Sequence, residues 1–103
     1  MLLLTAADAA RLPALYATER LALPDKAVQV KFFTPWTNWT WLLIEYDPAE
    51  RLCWGWVIGL EQEAGYFSLG ELEAIRGPAG LRIERDAHFR PCRLGDVPGV
   101  VLR

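Results

Sequence analysis

The spacing of apolar and polar positions predicts helical structure at the start of the chain. Thr5 and Asp8 stand three residues apart at the head of an Ala-rich stretch, a spacing typical of a helix capping box. We therefore expect short helices over residues 5–17. Pro13 divides them, because it lacks an amide hydrogen and fits the first turn of a second short helix better than the middle of a long one. Residues 23–25, Leu-Pro-Asp, predict a turn.

From Val28 onward the period changes to two, which predicts β-strands. The first strand covers residues 28–32. Residues 39–46, rich in aromatic and β-branched types, predict a second strand, and residues 52–59 predict a third that pairs with it as a hairpin. A short fourth strand is expected over residues 64–67.

The last third of the chain predicts one helix and one strand. Ser68 is placed to cap a helix from Leu69 to about Arg76, and Gly-Pro follows as a stop. Residues 82–89 alternate again and predict a final extended strand. The whole pattern predicts a single α+β domain over residues 1–103, with N-terminal short helices, an antiparallel β-meander, a short capped helix and the final strand.

Length and composition narrow the class of protein. The chain has 103 residues, 52% of them hydrophobic, which fits one small domain. No apolar run approaches the roughly 18 residues of a membrane span, and no basic residue precedes the apolar start as in a signal peptide. We therefore expect a cytoplasmic protein without a membrane partner. Cys53 and Cys92 are expected to be free thiols, and with His88 they are too few for a zinc finger.

Glu84, Asp86 and His88 are the candidate metal-binding and catalytic residues. A strand's period of two would set their side chains in one row, and two carboxylates with an imidazole suit a divalent metal. The solvent-facing side of a half-buried strand explains the same alternation without a ligand, and we favour that interpretation. No catalytic residue or cofactor is therefore assigned, and a divalent metal at these three residues is kept as the alternative.

The five tryptophans indicate a binding function. Burying all five would require roughly 750 to 1,250 Å² from a small core, so we expect some of them to be exposed. Trp36, Trp54 and Trp56 are the candidate anchors for a protein partner, because tryptophan is enriched in interface hot spots. The alternative is that the tryptophans form the aromatic core of the sheet.

Charge is unevenly distributed. The first 75 residues hold 10 of the 13 acidic side chains, whereas the remainder hold six arginines. Arg85 and Arg90 are candidate binding residues in this basic segment. Contact with nucleic acid would be weak and non-specific at a pI of about 5.3, so docking on a protein or on the domain's own acidic stretch is favoured. We also expect Arg85 to pair with an acidic residue, the candidates being Glu45, Asp47, Glu61 and Glu63.

Several strings of the chain resemble a known bacterial family. They are Leu12-Pro13, Leu15-Tyr16, Lys31-Phe32-Phe33-Thr34-Pro35, Trp39-Thr40-Trp41, Glu45-Tyr46-Asp47-Pro48, Gly65-Tyr66-Phe67-Ser68-Leu69, Glu71-Leu72, Arg76-Gly77-Pro78, Ile83-Glu84-Arg85-Asp86 and Phe89-x-Pro91. Together they resemble the family called domain of unknown function 2958. The resemblance implies a cargo protein of plasmids, integrative elements or phages.

From the residues and the resemblance together we expect a small binding or adaptor domain that modulates a protein or nucleoprotein partner, and not an enzyme. The alternative, which follows a loose label given to the family, is a metal-dependent endonuclease for single-stranded nucleic acid. That activity would use the face formed by Glu84, Asp86 and His88.

Overall fold

The computed structural model describes residues 2–102, which form an α+β domain as expected. In chain order the elements are α1 (Ala6–Arg11), β1 (Ala27–Val28), β2 (Val30–Phe33), β3 (Thr40–Asp47), β4 (Leu52–Ile58), β5 (Gln62–Ser68), α2 (Leu69–Ala74), β6 (Glu84–Arg85) and β7 (Cys92–Arg93). Short 3-10 turns lie at Leu23–Asp25, Pro78–Gly80 and Leu94–Asp96. No helix in the described part of the chain is long and apolar enough to cross a membrane.

Five strands form one antiparallel sheet in the order β5-β4-β3-β2-β6, and β1 pairs with β7 in a separate small sheet. The predicted meander and the β3–β4 hairpin are therefore confirmed. β5 is longer than the four residues expected. β3 lies in the middle of the sheet and is buried along most of its length, as its nearly continuous apolar sequence requires.

The capping box at the start of α1 is confirmed. The Thr5 hydroxyl accepts a hydrogen bond from the Asp8 amide at 3.1 Å, and the Asp8 carboxylate accepts one from the Thr5 amide at 2.8 Å. The helix ends at Arg11, two residues before Pro13. The second short helix expected after Pro13 is absent, and residues 15–20 instead form consecutive turns whose backbone is held by the side chain of Glu45 in β3.

The C-terminal third follows the predicted order with one correction. Ser68 caps α2, which ends at Ala74. The final strand is much shorter than the predicted residues 82–89, because only Glu84–Arg85 pairs with β2. The chain turns immediately afterwards, where the Asp86 carboxylate accepts a hydrogen bond from the His88 amide at 2.9 Å. An aspartate that binds the backbone two residues ahead favours a turn over a strand.

The sheet separates two apolar cores. One face packs against the N-terminal segment and α2, and its buried residues include Leu3, Leu4, Leu12, Val30, Phe32, Trp41, Leu43, Cys53, Leu69, Leu72 and Ile83. The other face packs against the C-terminal segment, with Val28, Leu42, Ile44, Trp56, Leu94 and Val97 buried. We call the latter the second face of the sheet.

A β-bulge in β3 controls which side chains reach the second face. Leu43 pairs with Gly55 whereas Glu45 pairs with Trp54, so Ile44 is the extra residue. Ile44 packs in the second core, and Glu45 lies opposite Trp54, which packs against the same core. The bulge therefore directs two consecutive side chains, one of them charged, to the same face. Gly55 permits the distortion, because a Cβ there would lie 1.9 Å from a backbone carbonyl oxygen of β3.

Candidate functional site

A cavity of about 280 Å³ on the second face collects the aromatic and ionisable side chains that the bulge brings together. We call it the aromatic cleft, and its lining residues are Tyr16, Glu19, Lys26, Glu45, Trp54 and Tyr66. Three of them form a row across neighbouring strands, because Glu45 pairs with Trp54 and Trp54 pairs with Tyr66. Such cross-strand neighbours have Cβ atoms about 4.5 to 5.5 Å apart.

Glu45 fastens the turns of residues 15–20 to the sheet. Its side chain is buried, and its carboxylate accepts hydrogen bonds from the Tyr16 amide at 2.8 Å, the Thr18 amide at 3.0 Å and the Thr18 hydroxyl. Buried carboxylates need such donors in place of water, and hydrogen bonds to an ionised acceptor are the stronger kind. The negative charge of Glu45 is thus used to hold this segment in position.

Tyr16 has an unusual backbone conformation for a bulky residue. Its φ angle of 71° lies in the left-handed region, which costs roughly 1 to 2 kcal/mol for a residue with a Cβ. The hydrogen bond from its amide to Glu45 helps to maintain this conformation. As a result the Tyr16 ring is presented at the surface, where its side chain is exposed. Strained backbone maintained by surrounding structure is a feature of binding and catalytic sites.

Tyr66 stands next to Tyr16 at the mouth of the cleft and is about half exposed. Side-chain hydrogen bonding to Tyr16 raises the pKa of Tyr66 above its ordinary value. Like any tyrosine with a pKa of about 10 or above, Tyr66 is a neutral phenol at physiological pH and can donate a hydrogen bond. Together with the half-buried Trp54, the two tyrosines line the same cavity.

Lys26 is buried in the wall of the cleft. Its ammonium donates hydrogen bonds to the Thr18 carbonyl and, at 3.1 Å, to the Thr18 hydroxyl. It also lies 5.5 Å from the centroid of the Trp54 ring, within the range of a cation–π interaction. The positive charge of Lys26 is therefore already satisfied inside the protein. Glu19 is the exposed charge of the cleft, and within residues 2–102 it forms no ion pair.

The tryptophans divide between surface and core. Trp54 is half-buried and lines the aromatic cleft. Trp56 is buried, and its indole N–H donates to the Gln62 side chain at 3.0 Å, so it belongs to the core of the sheet. Trp36 is half-buried and covers Gly77, where a Cβ would lie 2.5 Å from its ring. Trp56 and Trp36 therefore both make contacts within the domain, Trp56 with Gln62 and Trp36 with Gly77.

Arg85 pairs with an acidic residue, as predicted, but its partner is Asp8 and none of the four expected acids. Both guanidinium nitrogens contact the Asp8 carboxylate, which Arg11 also contacts at 3.0 Å. The Arg85 hydrogen bond holds the pKa of Asp8 well below its usual range. The pair joins the N-terminal helix to β6, so Arg85 is occupied within the domain. Arg90 is exposed and forms no ion pair in the part of the chain that the structure describes.

The three residues of the metal-binding alternative do not form a row. The strand ends at Arg85, Asp86 pairs with Lys31 at 3.5 Å, and Glu84 and His88 are exposed. Among residues 2–102 no three histidine, cysteine, aspartate or glutamate side chains are grouped so that they could hold a metal ion. The predicted juxtaposition of Glu84, Asp86 and His88 is therefore wrong, because it assumed a strand as far as residue 89.

The two cysteines are free thiols, as expected. Cys53 is completely buried, and burial raises the pKa of its thiol to about 12, which makes it unreactive. Cys92 is half-buried in β7. Neither residue contributes to the aromatic cleft.

A larger open hollow, about 540 Å³, lies beside Trp56, Glu61, Gln62 and Val101. The Gln62 amide already binds the C-terminal segment there, accepting from the Val101 amide and donating to the Gly99 carbonyl, both at 2.9 Å. These bonds attach the segment to the sheet. The aromatic cleft differs because it combines an exposed charge, exposed aromatic rings and a strained backbone.

The fold and the cleft define a small α+β domain whose distinctive surface is aromatic. The chain belongs to the family described as "Protein of unknown function (DUF2958)", whose model matches residues 3–94. The match includes every residue of the aromatic cleft and confirms the family resemblance. No curated protein and no solved structure matches the chain.

Most residues of the cleft were missed by sequence reasoning. Trp54 was a candidate, and Glu45 was considered as an ion-pair partner of Arg85. One signal was present, since Glu45 is a single acid inside the apolar run of a predicted central strand. A charge at such a position is buried and requires partners. The left-handed backbone of Tyr16 left no comparable signal, because tyrosine is not a residue that favours it.

Proposed function

We propose that this chain is a protein-binding adaptor domain that receives a basic side chain of its partner in the aromatic cleft. The observation that carries the proposal is the exposed Tyr16 ring, presented by a strained backbone and fastened by the buried carboxylate of Glu45. A strained backbone of this kind persists only where the surrounding structure maintains it, as the Glu45 carboxylate does here.

The aromatic surface supports binding to a protein. Tyrosine and tryptophan are the residues most enriched in the energetic centres of interfaces, because they bury a large area with few rotatable bonds. Tyr16, Tyr66 and Trp54 lie together on one face and have both an apolar body and a polar atom. The hydrogen bonds of Glu45 fix the turn before a partner arrives, which lowers the entropic cost of association.

The charges of the cleft favour the binding of a basic ligand. Lys26 uses its ammonium within the wall, whereas the Glu19 carboxylate is exposed. A lysine or arginine side chain of a partner would meet two tyrosine rings and a carboxylate, groups that take part in cation–π and ion-pair contacts. We therefore propose a partner segment that presents an arginine or a lysine.

The setting of this function follows from the family resemblance. We propose that the domain acts on a protein or nucleoprotein partner of plasmids, integrative elements or phages, and that it does so in the cytoplasm, where its two thiols remain reduced. Arg90 is exposed and offers a weak, non-specific contact with nucleic acid when the partner is a nucleoprotein.

The test is site-specific photocrosslinking in the native host. A photoreactive phenylalanine replaces Tyr66, and the adducts are identified by mass spectrometry with and without nuclease treatment. We expect an adduct with a protein of different sequence that survives the nuclease, and we expect Glu19→Lys to reduce its yield because the substituted ammonium repels a basic side chain.

Glu50→Lys is the matched control, since it makes the same charge change at an exposed residue of the β3–β4 turn. Equal loss of adduct in the Glu19 and Glu50 variants would show that only overall charge matters. An adduct with nucleic acid alone would contradict the proposal.

A further inference from the structure

β5 forms one edge of the five-stranded sheet. It pairs with β4 on one side, and on the other side no strand of residues 2–102 pairs with it. β6, the opposite edge, has only two residues, whereas β5 has seven. Edge strands of this length present a row of backbone groups that another strand can bind.

The ladder shows which backbone groups of β5 are free. The Leu69 amide donates to the Arg51 carbonyl, so Leu52 and Ser68 form a pair that exchanges no hydrogen bonds. In an antiparallel ladder this pattern alternates, and the N–H and C=O groups of Ala64 and Tyr66 therefore point away from β4. Within the described chain neither residue's backbone has a hydrogen-bond partner on the outer side.

The edge lacks the devices that normally prevent strand addition. The sequence Gln-Glu-Ala-Gly-Tyr-Phe-Ser contains no lysine and no proline, its pairing with β4 has no bulge, and Glu63 is its single charge. Glu63, Ala64 and Tyr66 are exposed along the middle of the strand. Natural proteins protect such an edge unless it is used.

We infer that the outer edge of β5 binds the same edge of a second copy of this chain. An antiparallel pair centred on Gly65 would set Ala64 opposite Tyr66 of the second copy and Glu63 opposite Phe67 of the second copy. The strand is thus complementary to itself, because no like charges face each other and the outward groups of each copy meet. Gly65, at the centre of the pair, has open space around its Cβ direction, since nothing lies within 4 Å of it.

Two copies joined in this way would share one continuous ten-stranded sheet. The two-fold axis of such a pair runs perpendicular to the sheet, so both aromatic clefts lie on the same side, with Tyr66 of each copy close to the junction. The pairing does not depend on the proposed function, because it rests on backbone groups of β5 and not on the cleft.

The first test is the mass of the protein in solution, measured by sedimentation velocity across a concentration series. We expect the mass to rise from 11.7 kDa to twice that value with concentration. Ala64→Pro should weaken self-association, because it removes an outward N–H from each copy. Two lost hydrogen bonds weaken a dimer by roughly 5- to 150-fold. Proline is tolerated at an edge position whose N–H faces solvent, and circular dichroism checks that the variant folds.

Substitution of Gly65 tests the register. Gly65→Lys alone and Gly65→Glu alone should both be monomeric, because like charges would face each other at the centre of the pair. An equimolar mixture of these two variants should restore a dimer of twice the monomer mass. A monomeric wild-type protein at every concentration would overturn the inference. A Gly65→Lys variant that remains dimeric would also overturn it, since the interface would then lie elsewhere.

Discussion

Replacement of Glu45 by glutamine tests the link between the sheet and the aromatic surface. The change keeps the shape of the side chain but removes its charge and half of its accepting capacity. In the wild-type protein the carboxylate accepts from the amides of Tyr16 and Thr18 and from the Thr18 hydroxyl. A glutamine has one carbonyl oxygen, and its NH₂ group would face at least one of these N–H donors.

The size of the effect follows from these bonds. Hydrogen bonds to a charged group contribute about 1.5 to 3 kcal/mol each, and neutral ones about 0.5 to 1.5 kcal/mol. Counting only the two bonds from the backbone amides, with one lost outright and one reduced to a neutral bond, the free energy of unfolding decreases by about 2.5 to 4.5 kcal/mol. Part of this decrease is offset when the left-handed backbone of Tyr16 relaxes, because that conformation costs roughly 1 to 2 kcal/mol.

Hydrogen exchange measured residue by residue separates local loosening from global loss of stability. We expect the amides of Tyr16 and Thr18 to lose protection in Glu45→Gln by more than the core strands lose. Glu50→Gln is the matched control, since Glu50 is exposed and should leave both the exchange rates and the urea midpoint unchanged. Unchanged protection of Tyr16 and Thr18 in the Glu45 variant would refute the role given to this carboxylate.

Three further predictions concern the scaffold. Asp8→Asn should reduce the free energy of unfolding by about 1.5 to 3 kcal/mol at pH 7 in urea titrations, because the arginine contacts lose their charge assistance. Since the folded-state pKa of Asp8 is depressed, the wild type should begin to lose this advantage as the pH falls below about 3.9 and should lose it fully only below the depressed pKa; a gap at pH 2 as large as the gap at pH 7 would contradict the assignment. Gly55→Ala should lower the free energy of unfolding by about 3 kcal/mol, because the new methyl group would collide with a backbone carbonyl. Gly65→Ala, where a Cβ has open space, should change the free energy of unfolding by less than about 0.5 kcal/mol. Equal effects of the two substitutions would argue against the bulge. In the folded protein a thiol reagent should modify Cys92 and spare Cys53 until denaturant is added, and rapid modification of both would show that Cys53 is not buried.

Local sequence patterns were sufficient for most of the fold. Alternation with period two located β2 to β5, and the cap at Ser68 located α2, because these elements depend on which face is buried and on hydrogen bonds between near neighbours. The capping box at Thr5 was found for the same reason.

The errors arose where long-range contacts decided the structure. The turns after Pro13 depend on Glu45, which lies about thirty residues further along the chain, so helical propensity in that segment was overridden. The strand predicted to residue 89 stopped because Asp86 binds the backbone two residues ahead and pairs with Lys31. A pattern with period two cannot distinguish a strand from a polar turn that continues the alternation by chance.

The aromatic cleft was not predictable because a single extra residue creates it. Without the bulge at Ile44, strict alternation would direct Glu45 to the opposite face of the sheet, away from Trp54 and Tyr66. Sequence patterns give the face of a side chain only while the register is regular. Glu45, the single acid within the apolar run of β3, showed where a buried charge lies in the sequence. It did not show which face of the sheet its side chain is on.

The proposal that the cleft receives a basic side chain is tested most directly by a nuclear magnetic resonance titration. The ¹⁵N-labelled domain is titrated with N-acetyl-arginine amide, and with the citrulline analogue as a neutral control of the same shape. We expect saturable shifts of the Trp54 indole and of the Tyr16 and Tyr66 amides with arginine and not with citrulline. The Trp56 indole, which donates to Gln62 in the core, should not shift. Equal shifts with both ligands, or none at the cleft, would contradict the account.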